Sequence, residues 1–310
     1  MLKRGIIMTQ YLAFDVGGTN LKYALLNNSG EIIEKDKTST PTDNINNFMA
    51  KIYEIADKYV GKFEGIAICA PGKVDVQKGI VYFGGALPFL DQTNFKELLE
   101  NRYHIPVGVE NDGKAAGLAE LWLGELKGID NGMAVVLGTG IGGGLILNGK
   151  LVRGSHFQAG ELSFMHTDSS KYGFESFVCD KGSAVSMVKK VNQAVGNQDV
   201  KDGLVAFDAI KEQNPAAVKI FKRMCREIAV LITNIQAVAD LDKIVIGGGI
   251  SAQPIVVEEI NRQYDQLVDE VEFVKKMLTK PEIVRARFMN DANIYGALYA
   301  LLLQINHEKY

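Results

Sequence analysis

Apolar and polar positions along the chain change their period several times, and each change marks an element. An apolar run from Tyr11 to Asp15 ends in an acid, a second covers Leu21 to Leu26, and Asn27-Asn28-Ser29-Gly30 supplies turn chemistry before a third stretch, Glu31 to Lys35. That spacing predicts an antiparallel three-stranded meander. Ile45, Phe48, Met49, Ile52, Ile55, Ala56 and Tyr59 recur at three-and-four spacing, which predicts a helix with one buried face that Thr42 or Asp43 can cap. Gly65 to Ala70 reads as a short buried strand, Phe95, Leu98 and Leu99 as a helix after Thr93, and Pro106 to Glu110 as another strand. The order is therefore β-β-β-α-β-α-β. Beyond Asn111-Asp112 an alanine- and leucine-rich helix runs to about Leu123, followed by strand Met133 to Leu137, a glycine-rich turn and strand Gly144 to Leu147. A long helix from Ala216 to about Ala239 leads to strand Ile244 to Ile246, the turn Gly247-Gly248-Gly249, and helices around Glu258 and Ala297. Strand, glycine turn and strand thus occur twice, each time followed by helices, which implies two similar α/β lobes rather than a solenoid of long repeats.

Composition narrows this picture. The length of 310 residues suits two domains and makes a cleft between them plausible, and 47% apolar with 23% charged residues excludes disorder. A formal net charge of −3 gives no electrostatic footprint for nucleic acid or for an anionic membrane. Cys69, Cys179 and Cys225 are far apart and odd in number, so neither a disulfide framework nor a paired-cysteine zinc site is expected, and a reducing cytoplasm fits. Met1 to Met8 has a basic touch, but Thr9-Gln10 follows at once, leaving too short an apolar region for a signal peptide. No apolar run approaches bilayer length. The expectation is a cytoplasmic protein.

Three glycine-rich turns punctuate strands: Asp15-Val16-Gly17-Gly18-Thr19-Asn20, Gly138-Thr139-Gly140-Ile141-Gly142-Gly143-Gly144 and Gly247-Gly248-Gly249-Ile250-Ser251. Such turns let backbone N–H groups converge on phosphate oxygens with no Cβ in the way, although any one of them alone can be a plain tight hairpin. Three together, two pairing glycine with threonine, favour phosphate. Gly138, Gly140 and Gly143 satisfy G-x-G-x-x-G, but Leu145-Ile146-Leu147-Asn148-Gly149-Lys150 continues as strand and turn instead of opening a helix, which argues against a dinucleotide site. No Walker-type loop is present, so phosphates are expected on hairpins. Asp15, at a strand end beside the first glycine turn, can hold a Mg²⁺ through water, or can simply cap the turn. Asp112 can accept a proton from a sugar hydroxyl while Asn111 fixes another, though such a pair more often caps the following helix. Glu161 and Glu175, as acceptor-only groups, suit a polyhydroxylated ligand, but isolated carboxylates are usually just solvated.

Taken in order, these loops resemble the ROK family of sugar kinases and repressors, within the actin, hexokinase and Hsp70-like superfamily of ATPases. Phe14-Asp15-Val16-Gly17-Gly18-Thr19-Asn20-Leu21-Lys22 is similar to the family's first phosphate loop, Ala70-Pro71-Gly72-Lys73-Val74-Asp75 to its P-G-x-V-D turn, and Glu110-Asn111-Asp112 to its catalytic Asn-Asp. Leu137 to Gly144, Asn148 to Leu151, Arg153-Gly154 and Ala159-Gly160-Glu161-Leu162 resemble the family signature, and Gly247-Gly248-Gly249-Ile250 the adenosine loop. The resemblance implies an α/β fold of two RNase H-like (actin-like ATPase) lobes with an interlobe cleft, residues 1–112 plus 291–310 forming a small lobe and 113–290 a large one. It implies ATP as phosphoryl donor with Mg²⁺, Asp112 as general base, Asn111, Glu161 and Glu175 as sugar ligands, and Asp15 as the metal-proximal acid. Gly17, Gly18, Thr19, Lys22, Thr139, Gly140, Gly248 and Gly249 are the implied nucleotide contacts. A homodimer is implied, with no nucleic-acid or membrane partner.

Departures from the family pattern carry information as well. Zinc-containing members follow Gly-Glu-Ile-Gly-His with a cysteine box, whereas here Gly160-Glu161-Leu162 leads into Ser163-Phe164 and Asp168 to Glu175 has no cysteine. Structural zinc is therefore not expected, and His166 reads as a solvated or packed loop histidine. Phe164, standing where those relatives place histidine, reads either as a space-filler facing the core or as a ring beside the sugar's anomeric end that favours a β-glucoside or disaccharide. Family repressors carry a helix-turn-helix ahead of the first phosphate loop, and only Met1 to Gln10 precede it here, so a kinase is expected over a sugar-sensing regulator or a degenerate binder. Glucose, a β-glucoside, fructose, mannose and N-acetylmannosamine all remain substrates that the sequence allows.

Overall fold

A computed structural model describes residues 9–307; the Met1 to Met8 stretch, read above as no signal peptide, lies outside the described residues. The chain divides into two compact units, one built from the chain up to Trp122, Arg153–Gln158 and the chain from Asp291 on, the other from Leu123–Val152 and Ala159–Asn290.

The first unit begins with the meander β1 (Gln10–Val16), β2 (Asn20–Asn27) and β3 (Ile32–Ser39), the last of these longer than its sequence pattern suggests. Helix α1 (Ile45–Asp57) follows, but its cap is Asn44, whose side chain accepts from the Asn47 N–H at 2.9 Å, rather than Thr42 or Asp43. Strand β4 (Ile66–Ala70) comes next, then a small antiparallel sheet of β5 (Lys73–Asp75), β6 (Ile80–Tyr82) and β7 (Thr93–Asn94) that the apolar pattern does not announce. Helix α2 (Phe95–Tyr103), strand β8 (Val107–Asn111) and helix α3 (Asp112–Leu123) complete this stretch. The main sheet runs β3-β2-β1-β4-β8, antiparallel across the meander and parallel from β1 to β8. Period-two alternation sends Leu12, Phe14 and Ile68 to a core shared with α1 and α2, while Tyr11, Ala13, Ala67 and Cys69 face the other way.

In the second unit β9 (Gly132–Leu137), β10 (Ile141–Leu147) and β11 (Lys150–Leu151) form another meander. Helices α4 (Val178–Gly182), α5 (Ala184–Ala194), α6 (Gly203–Lys211) and α7 (Pro215–Ala239) lead to β12 (Lys243–Gly247), α8 (Pro254–Asp269), α9 (Glu272–Met277) and β13 (Glu282–Arg285). The sheet order β11-β10-β9-β12-β13, antiparallel then parallel, repeats that of the first unit. One correction falls here. The strand expected from Gly144 starts at Ile141, so Gly142 and Gly143 lie within β10 rather than in the turn, and Gly143 is packed against backbone: a Cβ there would stand 2.8 Å from the Gly160 carbonyl oxygen.

From Asp291 the chain belongs to the first unit again, and α10 (Ala292–Ile305) lays Ile294, Ala297, Leu298 and Leu301 on the Tyr11, Ala13, Ala67 and Cys69 face. Gly296 makes this possible, since a Cβ on it would meet the backbone of Ala115 in α3 at 1.8 Å, and Trp122 stacks on Tyr299 beside it with ring centroids 5.1 Å apart. All three cysteines are buried thiols. Burial, aided by the Asp15, Asp112 and Glu110 carboxylates, pushes the Cys69 thiol well above the usual range, so it acts as a small apolar side chain.

Candidate active site

In the first unit β1 delivers Asp15 near its C-terminal end, 6% exposed. Lys22, which the antiparallel register places opposite Asp15, donates to Oδ2 at 3.0 Å, and Asn293 at the start of α10 donates to Oδ1 at 2.9 Å. Both carboxylate oxygens are held by side chains, an arrangement that suits an outer-sphere role toward a hydrated cation better than direct ligation. The turn that follows is pinned by the Gly17 N–H to the Asn20 carbonyl at 3.1 Å and by the Thr40 hydroxyl to the Gly17 carbonyl at 2.6 Å. A Cβ on Gly17 would come within 2.8 Å of the Asn20 oxygen, so the turn requires glycine at that point. Gly18 and Thr19 are left exposed at its tip.

Strand β8 ends in Glu110 and Asn111, and α3 begins at Asp112. Asn111 accepts from the Lys114 N–H at 3.2 Å, and Asp112 accepts from the Gly113 N–H at 2.7 Å, so both cap α3 as the plain reading had it. The Asn111 amide also donates to the Gly72 carbonyl at 2.8 Å and to Asp112 Oδ1 at 2.9 Å. Capping therefore fixes the pair, with Asp112 exposed at the start of α3. Beneath it lies an ion pair that no local sequence pattern announces. Glu110 is 0% exposed and receives Arg153 Nη2 at 2.6 Å and Nε at 3.0 Å, while its other oxygen accepts the Asn111 N–H at 3.0 Å. Arg153 and Asn293 were findable only as polar residues in segments whose tertiary partners no local pattern names.

The second unit gathers the other predicted residues. Gly138-Thr139-Gly140 closes the β9–β10 hairpin through the Gly138 N–H to the Gly140 carbonyl at 3.0 Å, and the Ser163 hydroxyl accepts from the Ile141 N–H at 2.8 Å. Glycine at position 160, with φ of 82°, packs on Gly143 and so sets the start of Glu161. Glu161 precedes a 3₁₀ turn (Leu162–Phe164), and Glu175 lies exposed in another, Gly173–Ser176. The two segments are stitched side by side by the Thr167 N–H to the Ser176 carbonyl at 3.1 Å and the Val178 N–H to the Met165 carbonyl at 2.8 Å. Asp168 pins the connecting loop: hydrogen bonds from Ser170 and the Lys181 ammonium hold its carboxyl down at about 2.

Phe164 does not face the core. It is 65% exposed, its ring meeting Phe177 edge-on at 6.1 Å, while His166 packs on the same Phe177 ring at 4.5 Å. The third glycine turn is also not a hairpin. Gly248, with φ of 92°, presses on Leu137, where a Cβ would stand 2.1 Å from its carbonyl oxygen, and Gly249 opens a 3₁₀ turn with free space at its Cβ position. Among the described residues no three His, Cys, Asp or Glu side chains group as a metal site.

The ROK family model matches residues 11–304, and the chain belongs to the ROK family. It is 29% identical to a β-glucoside kinase of Listeria innocua over 96% of this chain and 99% of that one. It is 28% identical to a glucokinase of Halalkalibacterium halodurans, covering 96% of each. Among solved structures, a ROK family protein from Streptococcus pneumoniae in complex with sucrose superimposes with a TM-score of 0.86 at 31% identity, over 96% of this chain and 100% of that chain. The two α/β units thus carry the actin-like ATPase fold of the family's kinases.

Proposed function

We propose that this chain is an ATP-dependent sugar kinase that phosphorylates the primary hydroxyl of a hexose or hexoside, with glucose or a β-glucoside as substrate. The observation that carries the reading is the Asn111–Asp112 pair, locked at a strand end by the Gly72 carbonyl and by the capping of α3. The names of its whole-length relatives, β-glucoside kinase and glucokinase, support the same class. Asp112 accepts the proton of the attacking hydroxyl as that oxygen bonds to the γ-phosphorus, the bond to the β-phosphate oxygen breaks, and ADP leaves. Asn111 orients the sugar, with Glu161 and Glu175 accepting from its other hydroxyls. Gly17, Gly18, Thr19, Lys22, Thr139 and Gly140 offer N–H, hydroxyl and ammonium donors to the phosphates, and Gly248 and Gly249 a backbone surface to the adenosine. Mg²⁺ bound with the nucleotide would neutralise the phosphate charge, and Asp15 would hold it through water. Structural zinc has no part in this reading, which places the enzyme in the cytoplasm as a homodimer without nucleic-acid or membrane partners; no described helix is long and apolar enough to cross a membrane.

The exposed Phe164 ring favours a blocked anomeric position, because a benzyl group packs on an aglycone but cannot hydrogen-bond a free C1 hydroxyl. Sucrose, bound by the pneumococcal relative, is likewise a glycoside with no free anomeric hydroxyl. A coupled ADP-release assay over glucose, methyl β-glucoside, cellobiose, fructose, mannose and N-acetylmannosamine tests both levels. Turnover of glucose and its β-glucosides with comparable kcat/KM is expected. Turnover of none of the sugars would sink the kinase reading, and a loss above about a hundredfold on blocking C1 would sink the glucoside assignment alone.

A further inference from the structure

Phe83 holds a backbone conformation that its side chain opposes. Its φ is 64°, in the left-handed region where a Cβ crowds the backbone and where a bulky residue is an outlier. Phe83 is 77% exposed, so core packing does not repay that strain. The conformation is nonetheless fastened: the Phe83 N–H donates to Asp91 Oδ1 at 2.9 Å, and the Phe83 carbonyl accepts from the Gly85 N–H. Strain that surrounding structure enforces without any gain in packing points to a ligand.

Position says which ligand. A Cβ on Gly72 would stand 3.3 Å from the Phe83 carbonyl carbon and 2.5 Å from the Tyr82 oxygen, and it is the Gly72 carbonyl that receives the Asn111 amide. Further along the same segment, a Cβ on Gly18 would meet the Ala86 side chain at 3.0 Å. Tyr82 to Ala86 thus runs, within the first unit, from the Asn111–Asp112 pair to the tip of the first glycine turn.

We propose that Phe83 is a specificity residue whose ring packs on the hydrogen-lined face of a gluco-configured pyranose. The proposal rests on the reading of Asn111–Asp112 as the hexose site. A glucopyranose carries its ring hydroxyls equatorially, leaving axial C–H groups that form an apolar face matched to an aromatic ring.

Phe83→Gly separates this role from a structural one, because glycine adopts a φ of 64° freely and an exposed ring contributes little to folding. Melting temperature, KM and kcat for glucose and methyl β-glucoside, and calorimetric sugar affinity without nucleotide are measured for the native chain, Phe83→Gly and Phe83→Tyr. The glycine variant is expected to melt no lower than the native protein while kcat/KM falls about tenfold or more, mainly through KM, and sugar affinity falls in parallel. Phe83→Tyr is expected to restore both. A glycine variant that melts several degrees lower with KM unchanged, or one unchanged in both, overturns the proposal. A native protein that phosphorylates no hexose overturns the kinase reading first and this proposal with it, a result visible before any variant is made.

Discussion

Asp112 and Asn111 act twice, as caps of α3 and as groups offered to a substrate, and the two uses do not compete. A carboxylate that accepts the Gly113 N–H at 2.7 Å is oriented by that bond, and its exposure leaves it open to a substrate hydroxyl. Replacing Asp112 with Asn retains the shape and much of the capping but removes the proton acceptor. The expected outcome is a fall in kcat of about 10²- to 10⁴-fold with sugar KM little changed, since the loss is confined to the transition state. Steady-state kinetics with the best sugar of the panel checks this, and near-native kcat would remove Asp112 from the role of base. At this scale the sequence was legible wherever a residue's neighbours along the chain define it: Gly17 at a tight turn, Asn111 and Asp112 at a strand-to-helix junction. It was silent where the partner is distant in sequence, as with Asn293 on Asp15, and where a loop without a period intervenes, as with Asp91 holding Phe83 in a left-handed conformation.

Long elements with a strong period were read correctly in type and nearly in extent, α1 and α7 among them, because a helix with one buried face writes that face every third or fourth residue. Two- and three-residue strands such as β5, β6 and β7 have no room for a period, and β10 hid its start behind glycines that serve packing rather than turning. The most consequential element-level feature is the join between β8 and Arg153. An ammonium or guanidinium removed from water is costly unless paired, and Arg153 has a side chain only 9% exposed against the fully buried Glu110 carboxylate. Arg153→Met leaves that carboxylate without its ion-pair partner, so a loss of about 3–5 kcal/mol in stability is expected, together with a lower kcat because Glu110 also holds the Asn111 N–H. The pair Glu110→Gln with Arg153→Met is expected to lose markedly less than the sum of the single changes. Thermal or denaturant unfolding of the three variants measures this, and strict additivity would show that the pair contributes no coupling.

The molecule as a whole repeats one topology, an antiparallel meander continued by two parallel strands, in each of its two units. That duplication was legible as strand, glycine turn and strand occurring twice, whereas the return of the chain to the first unit as α10 rested on family resemblance. The second unit poses a question of what stabilises its loop-rich stretch from Ala159 to α5, where zinc-containing relatives use a metal. Here aromatic packing occupies that region: Phe164 and His166 both sit on Phe177, and backbone bonds tie Met165 to Val178 and Thr167 to Ser176. A structural zinc supplies folding free energy outright, so a unit that depended on one would lose stability when it was stripped away. A fold held by these rings and bonds would not. Incubation with a strong chelator, followed by its removal and restoration of Mg²⁺, is therefore expected to leave both melting temperature and sugar phosphorylation at their starting values. A lowered melting temperature that zinc but not Mg²⁺ restores, or one equivalent of zinc found in the purified protein by elemental analysis, would show instead that the missing cysteines have been replaced by ligands of another kind.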